Sequence, residues 1–394
     1  MNHITTSGRH DHDRIRRFQY SALAAQANGQ NGSAGHSLSA EPLLDGAGSQ
    51  VPVIDPDLQD QTEVAGDPER SFSDRIEAFQ NVIDSEVGDT TLSRVRNIER
   101  EIGPRQLFLK FEGGNPTGTQ KDRIAFAQAM DALRRGYDTV TVATCGNFGV
   151  AMALACTVAG LKCIVYIPEA YQTKRIREML EYGAEIVRAP GDYEAVCGLS
   201  REFAAASEVY DANPGGSNMA IQLEAYAQIA YEIYDELRDA PAVVAVPVSN
   251  GTTLAGIHRG FVSLYRRNKT SRIPRMVAGS AYRKNPIVEA YLRNSPSCID
   301  LKPHTIRETS INEPLINWHS IDGEQGLRAI RESGGWAQQL SDKSMVNSTR
   351  MLRQLDGFSV LPASTAGLMA LIDRHQREAL PGDRYVAVIT GKQA

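Results

Sequence analysis

From about Ser71 to the C-terminus, short apolar runs of strand type alternate with helical patterns, and the turns between them are brief. TVTVAT precedes helical GVAMALACTVAG, KCIVYIP precedes TKRIREMLEYG, and EIVRAP precedes DYEAVCGLSREFAAAS, after which EVYDAN reads as a strand. Upstream, RIEAFQNVI reads as a helix, QLFLKFE as a strand, and residues 123–135 as a helix. A second series follows: the long helix AIQLEAYAQIAYEIYDEL, the buried strand AVVAVPV, the helix TLAGIHRGFVSLYRR and the strand RMVAGSAY. Residues 285–317 are irregular. The end reads as the helix SMVNSTRMLRQLDG, then FSVLPAS, the helix TAGLMALIDRHQREAL and the strand YVAVIT. Alternation of this kind predicts βαβ units and parallel sheets covered by helices. The fold expected is α/β, with two three-layer lobes of mostly parallel sheet. A site belongs in the cleft between them, where strand C-termini meet helix N-termini.

Charge and cysteine usage narrow the function classes. Lys plus Arg is 42 and Asp plus Glu is 47, a formal net charge of -5. That balance gives no electrostatic footprint for nucleic acid or an anionic membrane. No apolar stretch is long enough to span a bilayer, and the first twenty residues lack an apolar signal core. The five cysteines form no CxxC pair. Reduced, mostly buried thiols in a cytoplasmic protein are expected, with no metal centre. Residues 1–70 are rich in Gly, Ser, Ala, Gln, Asn and Asp, which predicts a disordered extension in which His3, His10 and His12 are solvated. The basic residues are lopsided: nine of the 42 are lysines, the first being Lys110.

Four turns carry chemistry. In Gly113-Gly114-Asn115-Pro116-Thr117-Gly118-Thr119-Gln120-Lys121-Asp122-Arg123, Lys121 falls at a helix N-terminus. The partial positive charge there and partial burial both favour a neutral, nucleophilic amine. A solvent-exposed lysine in a first helical turn accounts for the same pattern equally well. The second turn is Thr144-Cys145-Gly146-Asn147-Phe148-Gly149, where Asn147 either offers its amide to a ligand or caps a helix. The third is Pro247-Val248-Ser249-Asn250-Gly251-Thr252-Thr253-Leu254, between a buried strand and a helix. Small polar residues and backbone N–H groups at a helix start make a phosphate cradle. No GKS or GKT follows, so this is not a P-loop. The last is the pair around Ser364 and Thr390, which places hydroxyls at strand ends.

In this order the four turns resemble the fold-type II pyridoxal phosphate (PLP) enzymes, the tryptophan synthase β family, and most of all threonine synthase. NPTGTQKDR is similar to that family's lysine motif, ATCGN to its asparagine loop, and PVSNGTT to its phosphate loop. ESGGWAQQLSD, FSVLPASTAGLMAL and VITGK are similar to its C-terminal segments, GDTTL (88–92) to an early motif, and RETSINEP (307–314) to a later one. The resemblance covers roughly residues 80–394. It implies a large PLP-binding domain (71–112 and 216–394), a small α/β domain (113–215) and a homodimer. Lys121 would hold PLP through its amine and shuttle the α-proton. Asn147 would bond the ring hydroxyl, and Ser249, Asn250, Gly251, Thr252 and Thr253 would cradle the phosphate. Thr390, or Ser364 as second choice, would face the pyridine nitrogen. Thr144, Cys145, Gly146 and Phe148 would receive the carboxylate of a small amino-acid substrate.

The activity implied is a lyase of the threonine synthase type (EC 4.2.3), acting on an amino acid with a β or γ leaving group. Two departures qualify this. Thr252 stands where the family usually has Gly. No Arg or Lys occurs between Arg201 and Arg238, the stretch where threonine synthases carry the arginine for the substrate phosphate. That gap leaves open a cysteine, cysteate or diaminopropionate synthase, a serine/threonine dehydratase, or a non-catalytic homologue.

Overall fold

A computed structural model describes residues 56–393, apart from Cys145, Gln172, Lys174 and Pro381. The histidines of the N-terminal extension and Cys145 therefore lie outside the described residues. The first element, α1 (Pro56–Gly66), falls inside the segment expected to be unordered. The correction has a physical cause: Leu58, Thr62 and Ala65 recur at helical spacing and are buried. Arg75 ties this helix in by donating from Nε to the Ala65 carbonyl and from Nη2 to the Ala159 carbonyl. Next come α2 (Phe72–Glu86), capped by Ser71, then β1 (Leu92–Arg94), α3 (Arg96–Ile102), β2 (Leu107–Phe111) and α4 (Lys121–Arg134).

The chain then enters β3 (Thr139–Ala143), α5 (Asn147–Ala159), β4 (Lys162–Pro168), α6 (Ile176–Glu181), β5 (Glu185–Ala189), α7 (Tyr193–Ser207) and β6 (Tyr210–Asp211). These four strands form one parallel sheet in the order β5-β4-β3-β6. EVYDAN supplies only two strand residues, because Asn213 turns its side chain into the sheet and accepts from the Ala143 N–H at 2.7 Å. α5 is buried on nearly every face, as its unbroken apolar run requires.

After α8 (Met219–Leu237) come β7 (Val243–Pro247), α9 (Thr252–Arg266), β8 (Arg275–Ala281), α10 (Pro286–Leu292), α11 (Gly323–Glu332), β9 (Trp336–Leu340), α12 (Asp342–Asp356), α13 (Ala366–His375) and β10 (Tyr385–Ile389). They complete a six-stranded sheet, β1-β2-β10-β7-β8-β9, parallel except for the β1–β2 pair. β10 inserts between β2 and β7, so the chain's last strand lies beside one of its first. FSVLPAS forms no strand. It contributes a single bridge, Val360 to Lys392, and a 3-10 turn at Pro362–Thr365, so Ser364 sits in a turn rather than at a strand end. Among the described residues no helix is long and apolar enough to cross a membrane.

Candidate active site

The C-terminal ends of β3, β4, β7 and β10 converge on a cavity of about 710 Å³. All four turns reach it: Lys121, Asn147, Ser249 to Thr253, Ser364 and Thr390 line its wall, as do Thr144, Gly146 and Phe148.

The lysine turn is held from below by buried charges. Asp122 accepts from the Thr117 N–H at 2.9 Å and the Thr117 hydroxyl at 2.8 Å, closing the turn on itself. Asn115 donates to Glu112, whose carboxylate pairs with Arg123 at 2.6 Å. Gln120 N–H donates to the Thr390 carbonyl at 3.0 Å, so the lysine turn and the end of β10 are joined directly. Lys121 is the first residue of α4, and its Nζ lies 5.6 Å from the centre of the Phe148 ring. Burial pulls its ammonium down to about 8, against a weaker opposing pull from the Asp322 carboxylate. At pH 7 roughly a tenth is thus the free amine, a few hundred times the share of an ordinary lysine, which supplies the nucleophile.

Asn147 opens α5, and its Oδ1 accepts from Arg175 Nη1 at 2.8 Å. With the oxygen engaged, the amide's N–H₂ group is left to donate elsewhere. Gly146 has open space where a Cβ would stand. In the third turn Gly251 has a φ of 96°, and a Cβ there would meet Ile287 at 2.8 Å. Only glycine fits that turn. It sets the first N–H groups of α9, which have no partner within the helix, around the cavity wall. Asn250 Oδ1 accepts from Asn317 Nδ2 and from Ile321 N–H, which fixes its side chain.

Thr390 and Ser364 differ. The Ser364 hydroxyl donates to the Leu361 carbonyl at 2.5 Å, whereas no protein partner of the Thr390 hydroxyl is found among the described residues. Thr390 is therefore the freer of the two.

Sequence reasoning missed two residues, Arg175 and Asp322. Asp322 is almost fully buried, and its Oδ2 accepts from the Thr252 hydroxyl at 2.5 Å. Thr252 thus turns its hydroxyl to a carboxylate and can offer the cavity its backbone N–H. Burial raises the Asp322 carboxyl, opposed by Thr252, Lys121 and Arg201. Replacing Asp322 with Asn should move the Lys121 amine below about 8. The check is the pH midpoint of the rate at which the apoprotein binds added PLP covalently. A midpoint that stays or rises removes Asp322 from this role.

A lysine amine, an asparagine amide donor and a glycine-shaped cradle of N–H groups lining one cavity suit an aldehyde cofactor with a ring hydroxyl and a phosphate. Comparison with known proteins agrees: residues 83–391 match the family described as pyridoxal-phosphate dependent enzyme. The chain belongs to that family. Its cofactor is PLP, and the residues present fit it. The PLP-dependent enzymes similar to this chain include the threonine synthase of Methanocaldococcus jannaschii, 30% identical over 307 residues (77% of this chain and 74% of that protein). The threonine synthase of Bacillus sp. (strain ULM1) is 29% identical over 306 residues, covering 77% and 82%. Among solved structures, maize serine racemase superposes with a TM-score of 0.67 at 17% identity, over 81% of this chain and 92% of that one. The threonine deaminase of tomato, Solanum lycopersicum, in its processed form (isoform 2), gives 0.64 at 14% identity, over 84% and 92%. These two share the fold-type II architecture with this PLP-dependent chain.

Proposed function

We propose that this enzyme catalyses elimination or replacement on a small amino acid with a β or γ leaving group, as a lyase of the threonine synthase type. PLP, when bound, supplies the electron sink that lets a proton leave the substrate's Cα. The protein's part is to place groups around it. The Lys121 amine holds the cofactor and moves the proton at Cα. The amide N–H₂ of Asn147 donates to the ring hydroxyl. The N–H groups of residues 249–253 bind the phosphate, and Thr144, Gly146 and Phe148, with Cys145 by sequence alone, receive the substrate carboxylate. The observation that carries the reading is the unpartnered Thr390 hydroxyl, which lines the cavity beside the lysine turn and which this reading assigns to the pyridine nitrogen in place of a carboxylate. A hydroxyl leaves that nitrogen neutral, which weakens the sink and favours elimination and replacement over transamination. A small domain at 113–215, a large one at 71–112 and 216–394, and a homodimer belong to the same reading.

A specific observation favours a second reading within the family. Arg201 donates to the Pro214 carbonyl and pairs with Asp211 at 3.4 Å, so it is engaged, and the stretch after it carries no cation up to Arg238. A β-replacement enzyme or a dehydratase acting on a substrate other than O-phosphohomoserine fits that gap. Assay of O-phosphohomoserine, O-phosphoserine, O-acetylserine and threonine side by side, reading phosphate, acetate and keto-acid release, tests both. Turnover of at least one is expected. Transamination or racemisation as the sole product would overturn the proposal, and protein that takes up no PLP would make the chain a non-catalytic homologue.

A further inference from the structure

Arg175 precedes the short helix α6 and lines the cavity beside Asn147. Its guanidinium has five N–H groups in a rigid fork. One Nη1 hydrogen goes to Asn147 Oδ1 at 2.8 Å. Nε lies 2.8 Å from Glu178 Oε1, yet it is buried and makes no hydrogen bond, so that contact is an ion pair with a misaligned N–H. The side chain is 18% exposed and anchored on two sides, and among the described residues its remaining N–H groups have no hydrogen-bond partner. Among the described residues that line the cavity, Lys121 and Arg175 are the cations, and Lys121 is committed to the cofactor. The wall also carries Asp192, Glu194, Glu308 and Glu313, so among the described residues Arg175 is the one cation able to receive an anion that enters.

We propose that Arg175 is the anion receptor of this site: its free N–H edge takes two oxygens of an anionic group on the amino-acid substrate. This rests on the reading that an amino acid is processed at Lys121. A planar fork matches the paired oxygens of a carboxylate or a phosphate. The receptor also accounts for the cation-free stretch after Arg201, because the positive charge enters from the β4–α6 connection instead. Two sources share the chemistry, the substrate's α-carboxylate and a phosphate on its side chain.

The test uses holoenzyme and reads binding rather than turnover. Dissociation constants for serine, homoserine, O-phosphoserine and O-phosphohomoserine are taken from the change in the cofactor's visible absorbance, for wild type, Arg175→Lys and Arg175→Gln. Loss of a charge-assisted bond weakens binding roughly ten- to a hundredfold. A loss in Arg175→Gln confined to the two phosphorylated compounds, with partial recovery in Arg175→Lys, assigns the receptor to the side-chain phosphate. An equal loss for all four assigns it to the α-carboxylate. No loss beyond about threefold, the scale of a weak surface contact, overturns the proposal. Should Arg175→Gln fail to hold PLP, wild-type holoenzyme serves. Phenylglyoxal modification of Arg175, followed by peptide mass spectrometry, should be slowed by saturating O-phosphoserine or serine, and absence of protection overturns the proposal. These readouts need no product. Turnover with unaltered binding in Arg175→Gln defeats the receptor alone, whereas binding without elimination or replacement of any substrate defeats the proposed function alone.

Discussion

Replacing Lys121 with Ala should abolish the visible absorbance of the bound cofactor and lower turnover by at least roughly 10³-fold, since nucleophile and proton carrier go together. The fold should survive. Lys121 contributes a backbone turn that Asp122 and Thr117 close without its side chain, and Ala suits the start of a helix. Among the described residues that line the cavity there is no second lysine. Lys110 is fully buried, donates to the Thr90 carbonyl and pairs with Glu232 at 2.5 Å. The apoprotein gives a second readout. Lys121 has its folded value at about 8, below the usual 10.5, so between these pH values the unfolded chain binds the extra proton. The stability of wild-type apoprotein should therefore rise as pH increases from about 8 to about 10.5. Lys121→Ala lacks the group and should lose that slope. Urea denaturation across this range, beside an absorbance spectrum with PLP, checks both parts. A variant that keeps its colour and turnover would take Lys121 out of the mechanism.

What the sequence made legible follows from range. The alternation of strands and helices and the turns around Lys121, Asn147, Gly251 and Thr390 are local patterns, each written within about ten residues, and they meet because parallel strands end on the same side of a sheet. The contacts that tune the site are remote. Thr252 and Asp322 are 70 residues apart, Asn147 and Arg175 28, and Arg123 and Glu232 109. An Asp before a helix or a Glu inside one carries no local mark of a distant partner. Helix α1 is different, because its signal was present. Leu58, Thr62 and Ala65 have helical spacing, but the polar composition around them outweighed three anchors. The shortened strand at Tyr210–Asp211 was not legible either, since Asn213 ends it by bonding a strand reached through the fold.

Replacing Glu232 with Ala should destabilise the protein by about 3–5 kcal/mol, the cost of leaving buried cations without their partner. Glu232, on α8, accepts from Arg123 at 2.6 and 2.8 Å, pairs with Lys110, and takes the N–H groups of Asp89 and Thr90. Glu112 completes the set, so two carboxylates face two cations and the cluster is neutral. Removing Glu232 leaves one unmatched positive charge in the interior. Burial pushes the Glu232 carboxyl up, but Arg123 and then Lys110 outweigh it and hold it down at about 2. Against a usual value of 4.5, its stabilisation is complete above about 4.5 and lost as pH falls toward 2. The penalty in Glu232→Ala should therefore vanish in strong acid. The cluster binds residues 89 and 90, β2, the Asn115 turn and α4 into one unit beneath Lys121, so the variant should also bind PLP more weakly. Denaturation curves from pH 3 to pH 10, with PLP titrations at pH 7.5, measure both effects. A loss below about 1 kcal/mol at pH 7, the range of a surface ion pair, would mean that the cluster is solvated and does not set the lysine turn.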